Sequence, residues 1–421
     1  MTNPPERDQR SLRRPGRGVA PEEVRRHNLT AVLDRLHRSG PMSRSELAQK
    51  TGLNRSTIAD LIGELGRLGL VEEKPGIATA GPGRPSPVVS PRPEGATVLA
   101  IELSVDSMAV ATVGLGGHVY GKVRRSRARG RHSVDETIDE VVHMARALLS
   151  ELGGDQVLVG MGVAVVGVVR RSDGFVHLAP NLGWKNVPLG ALLASRFGLG
   201  DPVMAANEAD LGALAEYRRG AGVGASHLVY VGSEVGIGSG IIQDGQPMLG
   251  VAGYAGEAGH MLINPKGREC RCGSRGCWET EAGEAALAER AGLSNFVGQR
   301  LIEEITCRVD SRDPQALEAL ETTGTWLGYG IGNLINVFNP DVVVVGGLYQ
   351  ELFPHLREPL EAAARSIVLD APGEQVRIVP GSLGVDAALL GAAEMALSPV
   401  IADPAAVRAV TPTQPPDLAK A

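Results

Sequence analysis

Between Pro21 and Leu68 the apolar positions recur at helical spacing. Val24, Leu29, Val32, Leu33 and Leu36 fall on one stripe closed by Ser39-Gly40-Pro41, which predicts a first helix from Pro21. Ser43-Arg44-Ser45-Glu46 reads as a capping box: the serine hydroxyl accepts from the amide three residues on, and the glutamate reaches back to the serine amide. This opens a short second helix through Leu47 and Ala48 to the turn at Thr51-Gly52. Asn54 then caps a third helix, Arg55 to about Leu68, with Ile58, Leu61, Ile62 and Leu65 facing inward. Two short helices joined by a glycine turn form a helix-turn-helix. Gly69-Leu70-Val71-Glu72 leads into a strand pair around a glycine-rich loop, the pattern of a wing.

Such a head would lay its third helix in the major groove of double-stranded DNA. Arg55, Ser56 and Thr57 in its first turn, with Arg44 and Asn54 beside them, are the candidate contacts. At the wing tip, Gly83-Arg84-Pro85 holds an arginine extended, which suits a narrow minor groove. The third helix carries few basic residues, so affinity has to draw on the wing, on the preceding arm and on pairing of two heads over a palindromic operator. A plain helical protein-interaction module is the competing reading.

Ser86 to Gly95, with prolines at 87, 91 and 93, is predicted as a linker, with the head closing at residue 88. The period then changes. Thr97–Leu103, Met108–Val113 and His118–Arg124 read as a strand meander, Val134–Leu152 as an amphipathic helix and Val157–Val166 as a buried strand. Helices and strands alternate from there: helix 189–197, strand 203–206, helix 210–217, and strands 228–232 and 236–242. After a cysteine-bearing loop come helices between 283 and 338, strand 342–345, helix 352–367, strand 376–379 and helix 386–397. The chain is thus α/β behind a helical head, with no short-period repeat.

Charge sharpens this division. Residues 1–95 carry 16 Lys/Arg against 11 Asp/Glu, a net of +5, and the remainder carries 26 against 37, a net of −11. A basic head on an acidic body fits a head that meets a polyanion and a body that does not. Residues 1–20, with five arginines and no periodicity, are predicted as a disordered basic arm, and residues 399–421 as a flexible tail. No apolar run approaches the roughly twenty residues needed to cross a bilayer, and the arginine-rich start has no hydrophobic signal core. A cytoplasmic protein without a membrane partner is the expectation.

The candidate chemistry concentrates in Gly256–Glu279. His260 stands ten residues before Cys270, and Cys272 and Cys277 follow. Three thiolates and an imidazole make a tetrahedral donor set for Zn2+, and four protein ligands leave no position for a catalytic water, so the metal would be structural. The alternative is a set of buried apolar cysteines or thiols awaiting oxidation. Cys307, apart from this group, reads as a small buried residue.

Glu257-Ala258-Gly259-His260 followed by C-x-C-G-x-x-G-C-x-E from Cys270 to Glu279 resembles the ROK family (repressor, open reading frame, kinase), in its regulator branch with a winged helix-turn-helix. The resemblance spans about residues 22–398. It implies a two-lobed actin-like ATPase fold of the sugar kinase/ribonuclease H type, with residues 96–206 and 384–398 as one lobe and 207–383 as the other. It further implies a homodimer or homotetramer and a sugar or sugar-phosphate effector in the cleft. Carried over position by position, the sugar residues are Gly167, in a turn where Val166 replaces the usual proline, then Asn181, Asn207, Glu208, Glu257, His260 and Glu279. His260 would serve both metal and sugar. Glu257 and Glu279 have a second reading, as partners that only steady the metal loop, and Asn207 has one as a helix cap.

The resemblance to kinases breaks at two places. In Ile101–Ser107 the phosphate-loop glycines are replaced by Ser104 and Val105, and Asp106 stands where a hydroxyl belongs. At the aspartate base stands Glu208, one methylene longer. Gly236–Gly240 and Gly346-Gly347 remain and read as tight turns. The sequence therefore predicts a sugar-responsive transcriptional regulator, a repressor, without phosphoryl transfer. The runner-up is a bifunctional kinase for hexose or amino sugar, and the third reading is a constitutive DNA-binding protein with a vestigial pocket.

Overall fold

The structure, a computed structural model, describes residues 21–75, 86–407 and 409. The arm 1–20, Arg84 and the end of the tail lie outside the described residues. The head comprises α1 (Pro21–Ser39), β1 (Met42–Ser43), α2 (Arg44–Thr51), α3 (Arg55–Arg67), β2 (Val71–Lys74) and β3 (Val88–Pro91). The Ser43–Glu46 capping box is formed, Gly52 ends α2 in the left-handed region, and Asn54 accepts from the Thr57 amide at 2.8 Å. The three strands pair in the order β1-β3-β2, which makes the wing. Val24 departs from the predicted stripe and is exposed, one turn before α1 meets the core.

The body holds two sheets of like topology. β4 (Thr97–Leu103), β5 (Ser107–Gly114) and β6 (His118–Ser126) form the antiparallel meander. After α4 (Val134–Ser150), β7 (Leu158–Val165) pairs parallel to β4. β8 (Val168–Arg170), β9 (Phe175–Ala179) and β10 (Trp184–Val187) form a small separate sheet that the sequence pattern did not announce. α5 (Leu189–Phe197) and β11 (Met204–Asn207) complete the first lobe, whose sheet order is β11-β7-β4-β5-β6. α6 (Glu208–Arg219) leads to β12 (Leu228–Ser233), β13 (Ile237–Gln243) and β14 (Gln246–Pro247). Helices α7 (Trp278–Ala282), α8 (Glu284–Arg290), α9 (Gln299–Asp310) and α10 (Pro314–Phe338) follow, then β15 (Val342–Gly347), α11 (Tyr349–Arg365), α12 (Asp370–Gln375), β16 (Arg377–Pro380) and α13 (Ala387–Ala402). The second sheet, β14-β13-β12-β15-β16, repeats the first: an antiparallel hairpin beside parallel strands reached by crossovers. α6 packs on β12 and β13 and against α13, and α13 packs on β4 and β7, so these two helices lie between the sheets.

Several predicted boundaries move. Residues 86–95 are structured throughout: β3 reaches Pro91, beyond the edge expected at 88, and a helical turn at Pro93–Gly95 delivers the chain directly to β4. The tail expected from 399 begins inside α13, where Val400 and Ile401 are buried, and a further turn spans Pro404–Ala406. These residues are held because α1 covers them. One apolar core runs from Leu29, Leu33 and Leu36 through Leu389, Val400 and Ile401 to Val98 and Ala100. The head is therefore docked on the body. The stretch Gly384–Ala402 is long and apolar enough to cross a membrane by length and composition, contrary to the sequence expectation. Its apolar window is 61% buried, however, and it carries the buried charge of Glu394 as a core helix. Cys307 lies exposed on α9, where the sequence predicted burial.

Candidate functional site: a thiolate loop, an acidic cleft and a docked head

The loop before α7 is folded by its own backbone. Cys270 donates its amide to the Ser274 carbonyl at 2.8 Å, Gly276 donates to Arg268 at 2.8 Å, and Leu262 bridges to Cys277. Gly276 sits at φ 72, a left-handed conformation that an L side chain resists. The loop is pinned by Trp278, fully buried against Gly330 of α10, with its Nε1 donating to the Trp326 carbonyl at 2.9 Å. The ligand atoms of His260, Cys270, Cys272 and Cys277 all lie within 4.8 Å of one another. Cys272 Sγ to Cys277 Sγ and Cys270 Sγ to His260 Nδ1 are both 3.7 Å. Metal–sulfur bonds of about 2.3 Å in a tetrahedron give edges of about 3.8 Å. The donor set thus fits a metal ion in both chemistry and spacing. Glu279 accepts from Cys270 Sγ at 3.0 Å and lies 3.6 Å from His260 Nδ1, so it is turned toward these ligands.

The cleft between the lobes opens at the carboxyl ends of β4, β7, β11 and β12, where crossovers leave the sheets in different directions. Gly167, Asn207, Asp210, Ser239, Gly256 and Glu257 line a small cavity there of about 20 Å³. Gly167, at φ 103, turns the chain after β7, and a Cβ there would press on the Ala179 backbone at 2.9 Å. Asn207 caps α6, the second reading given for it, by accepting from the Ala209 amide at 2.8 Å, and its Nδ2 donates to the Gly167 carbonyl at 2.9 Å beside the cavity. Asn181 lies outside this lining and accepts from Arg271 of the thiolate loop at 3.0 Å, across the cleft. His177 and Tyr254 make a second bridge between the lobes at 2.6 Å. Of the predicted sugar residues, the fold brings Gly167, Asn207 and Glu257 onto one cavity, while His260 and Glu279 stand together at the thiolate loop.

Two acids escaped the sequence reading. Asp210, 8% exposed, faces the cavity without a hydrogen bond from the described residues. Burial pushes its pKa up to about 7, against the pull of Arg171 and with a further push from Glu257. The available signal was spacing, since Asp210 follows Asn207 by three residues and shares its helix face. Glu234, a polar residue directly after buried β12, accepts from Ser104 at 2.9 Å and is also raised to about 7, by burial first and then by Glu102. Glu208 is held well above its ordinary range by burial, then by Glu234 and Glu102. Glu102 is buried and paired with Arg124 at 2.9 Å. Asp106 is paired with Arg129. The corner between the ends of β4 and β12 therefore gathers four buried or half-buried carboxyls, Glu102, Asp106, Glu208 and Glu234.

These acids set a pH dependence. Asp210 and Glu234 bind protons more tightly folded than unfolded, so their contribution to stability is full at low pH and is lost as pH rises through about 7. The melting temperature of the metal-loaded protein is expected to be higher at pH 6 than at pH 8, and Glu234→Gln is expected to flatten the difference. Scanning calorimetry across that window checks it; an opposite slope would remove this account of the acids.

At the other end of α6 lies a buried ion cluster. Arg218 donates to Glu394 of α13 at 2.9 Å, Arg219 pairs with the same carboxylate, and His37 of α1 meets it through Nε2 at 2.9 Å. The Gly116 amide donates to His37 Nδ1 at 3.0 Å, which assigns the ring hydrogen to Nε2. Burial alone would raise the Glu394 pKa; His37, Arg219 and Arg218 overcome it and hold the carboxyl well below its ordinary range. Thr30 Oγ1 donating to the Ala402 carbonyl at 2.9 Å ties α1 to the body a second time.

On the head, Arg55 and Ser56 are exposed at the start of α3, and Thr57 is half-buried. Asn54 Oδ1 is engaged by the Thr57 amide and by Ser56 Oγ, the latter at 2.7 Å. Arg44 is gripped by Glu73 of the wing at 2.5 Å, so among the predicted contacts it joins α2 to the wing.

A winged helix-turn-helix docked on two like lobes around an acidic cleft defines a DNA-binding regulator built on a sugar-kinase-type body. Residues 98–398 match the ROK family and residues 28–75 the IclR helix-turn-helix domain. The chain belongs to the ROK family, in its regulator form. It is 30% identical to the xylose repressor of Bacillus subtilis over 87% of this chain and 94% of that one, and 31% identical to the xylose repressor of Caldicellulosiruptor bescii over 86% and 93%. A solved ROK family transcriptional regulator, a homologue of the E. coli MLC protein, superposes with a TM-score of 0.73 at 25% identity, covering 90% of this chain and 97% of that one. A Streptomyces griseus ROK glucokinase, solved with glucose and AMPPNP, matches the body with a TM-score of 0.62 at 27% identity, over 72% and 99%.

Proposed function

We propose that this protein is a sugar-responsive transcriptional repressor of carbohydrate-metabolism genes, acting in the cytoplasm without phosphoryl transfer. The observation that carries the reading is the placement of α6. Its N-terminus lines the cleft through Asn207 and Asp210, and its C-terminus, about 18 Å away, grips His37 of the DNA-binding head through Arg218, Arg219 and Glu394. Sugar entering the cleft and changing lobe closure would tilt α6 against α13 and carry α1 with it. To act this way the sugar must bind the operator-competent and operator-incompetent forms with different affinity. Two heads, paired in a homodimer or homotetramer, would read a palindromic operator through Arg55 and Ser56, with Arg84 of the wing and the basic arm adding backbone contacts.

The metal assigned to the thiolate loop is Zn2+, held by His260, Cys270, Cys272 and Cys277. Bound, it supplies a structural clamp and no reactive position. Through Glu279 and Arg271 the clamp fixes one wall of the cleft. The xylose repressors among the relatives make an aldopentose the first effector to try. An operator mobility-shift titration across a sugar panel is expected to show release by xylose or another aldose; if no sugar or sugar phosphate changes binding, the effector assignment fails. The kinase reading is favoured by the glucokinase match, and sugar-dependent ADP release would support it. Against it stand Glu102, Glu208 and Glu234, carboxyls already pushed toward their protonated forms by burial, which a polyphosphate beside them would push further.

A further inference from the structure

Asp210 is costly where it stands. A carboxyl largely buried without a hydrogen-bond partner loses most of its hydration and gains nothing from the protein in exchange. Here the residue is 8% exposed, receives no hydrogen bond from the described residues and borders the cavity with Asn207 and Glu257. The groups that face it are few. Arg171 and Glu257 act on it through space, and Arg171 lies beyond ion-pair distance and has no hydrogen-bond partner among the described residues. Ser239 is occupied elsewhere, its hydroxyl donating to the Gly256 carbonyl at 2.6 Å. Asn207 is engaged by Gly167 and Ala209. Among the described residues nothing donates to Asp210, and its oxygens are not sealed off, so their open acceptor positions face the cavity, where a hydroxyl-bearing ligand would fill them.

We infer that Asp210 is a further recognition residue of the effector cleft, accepting hydroxyl hydrogens, and that the cleft selects an uncharged sugar over its phosphate ester. The inference rests on the effector reading above and goes beyond it by choosing between sugar and sugar phosphate. Vicinal hydroxyls are the donors a carboxylate accepts in pairs, in bonds strengthened by its charge. A phosphate dianion would instead hold Asp210 and Glu257 in their protonated forms, with Arg171 as the facing cation, and so take from the cavity the carboxylate acceptors that hydroxyls need.

The test uses the full-length, zinc-loaded protein with Asp210→Asn and Asp210→Ala variants. Calorimetric titrations employ D-xylose, D-glucose and glucose 6-phosphate, and a melting curve is recorded for each variant without ligand. The alanine variant is expected to weaken the binding sugar by roughly 10- to 100-fold, and the asparagine variant by less. Both variants are expected to melt at or above the wild-type temperature, because a largely buried carboxyl with no hydrogen-bond donor among the described residues has been removed. A merely structural Asp210 would show the reverse: a lower melting temperature and unchanged sugar affinity, which overturns the inference. Glucose 6-phosphate binding more tightly than either free sugar also overturns it. If the wild type gives flat titrations with all three, the effector reading itself falls. If the wild type binds and the alanine variant binds equally well, only the role of Asp210 is lost.

Discussion

Glu394→Ala is expected to destabilise the protein by about 3–5 kcal/mol, the cost of stripping the shared anion from buried cations. Glu394 is 1% exposed and lies between His37, Arg218 and Arg219. Without it, two guanidinium groups and an imidazole face one another with nothing between them. The loss should exceed that of any surface ion pair in the chain, such as Lys74–Glu72, where solvent screens the charges and the contribution is about 0–1 kcal/mol. Chemical denaturation measures the first effect. Because the cluster also joins α1 to α13 and α6, the same variant should uncouple sugar from operator: a mobility shift that survives at low temperature is expected to stop responding to sugar. Unchanged stability, or a full sugar response, would show that the head is held by the apolar core alone.

The second large effect is expected at the thiolate loop. Cys272→Ser should abolish stoichiometric zinc, since a hydroxyl is a poor substitute for a thiolate, and binding energies for structural zinc are on the order of 10 kcal/mol. Besides the metal the loop is held by Trp278, by its backbone hydrogen bonds and by side-chain ties such as Arg271–Asn181, Arg268–Glu289 and Arg275–Glu269, most of them exposed and weakened by solvent. Its collapse would release Glu279, Arg271 and His260 together and so open one wall of the cleft. Operator binding without sugar should persist, because the head packs on α13 and β4–β5, away from the loop. Metal analysis of the pure, reduced protein, followed by sugar titration of the variant, checks both parts. Wild-type protein without zinc, or a variant that still recognises sugar, would remove the metal from the account.

Much of this was legible in the chain because the physics involved is local. A capping box spans four residues, the α3 stripe follows from helical period, and the thiolate loop declares itself through ligand spacing and the glycines that let it turn. These features need only neighbours in sequence, so Ser43–Glu46, Asn54 and the positions from His260 to Cys277 are written where they act. The winged head, the α/β body and the family resemblance all rest on such local signals.

Tertiary structure decided what depends on residues far apart. Glu394 lies 357 residues from His37, and no local pattern reveals that an acid in an apolar helix has a histidine of the DNA-binding head for a partner. The prolines of 86–95 suggested a linker, yet pairing of β3 between β1 and β2 makes that stretch part of the head, and shared apolar packing with α13 removes its freedom. The two matching sheets are likewise invisible in sequence, because like topology needs like hydrogen bonding and not like residues. Asp210 shows the same division most sharply. Its identity and helical position are plain in the sequence, but its lack of a partner is a property of everything folded around it. Sequence specifies which groups a chain carries; only packing decides which of them are left with bonds still to make.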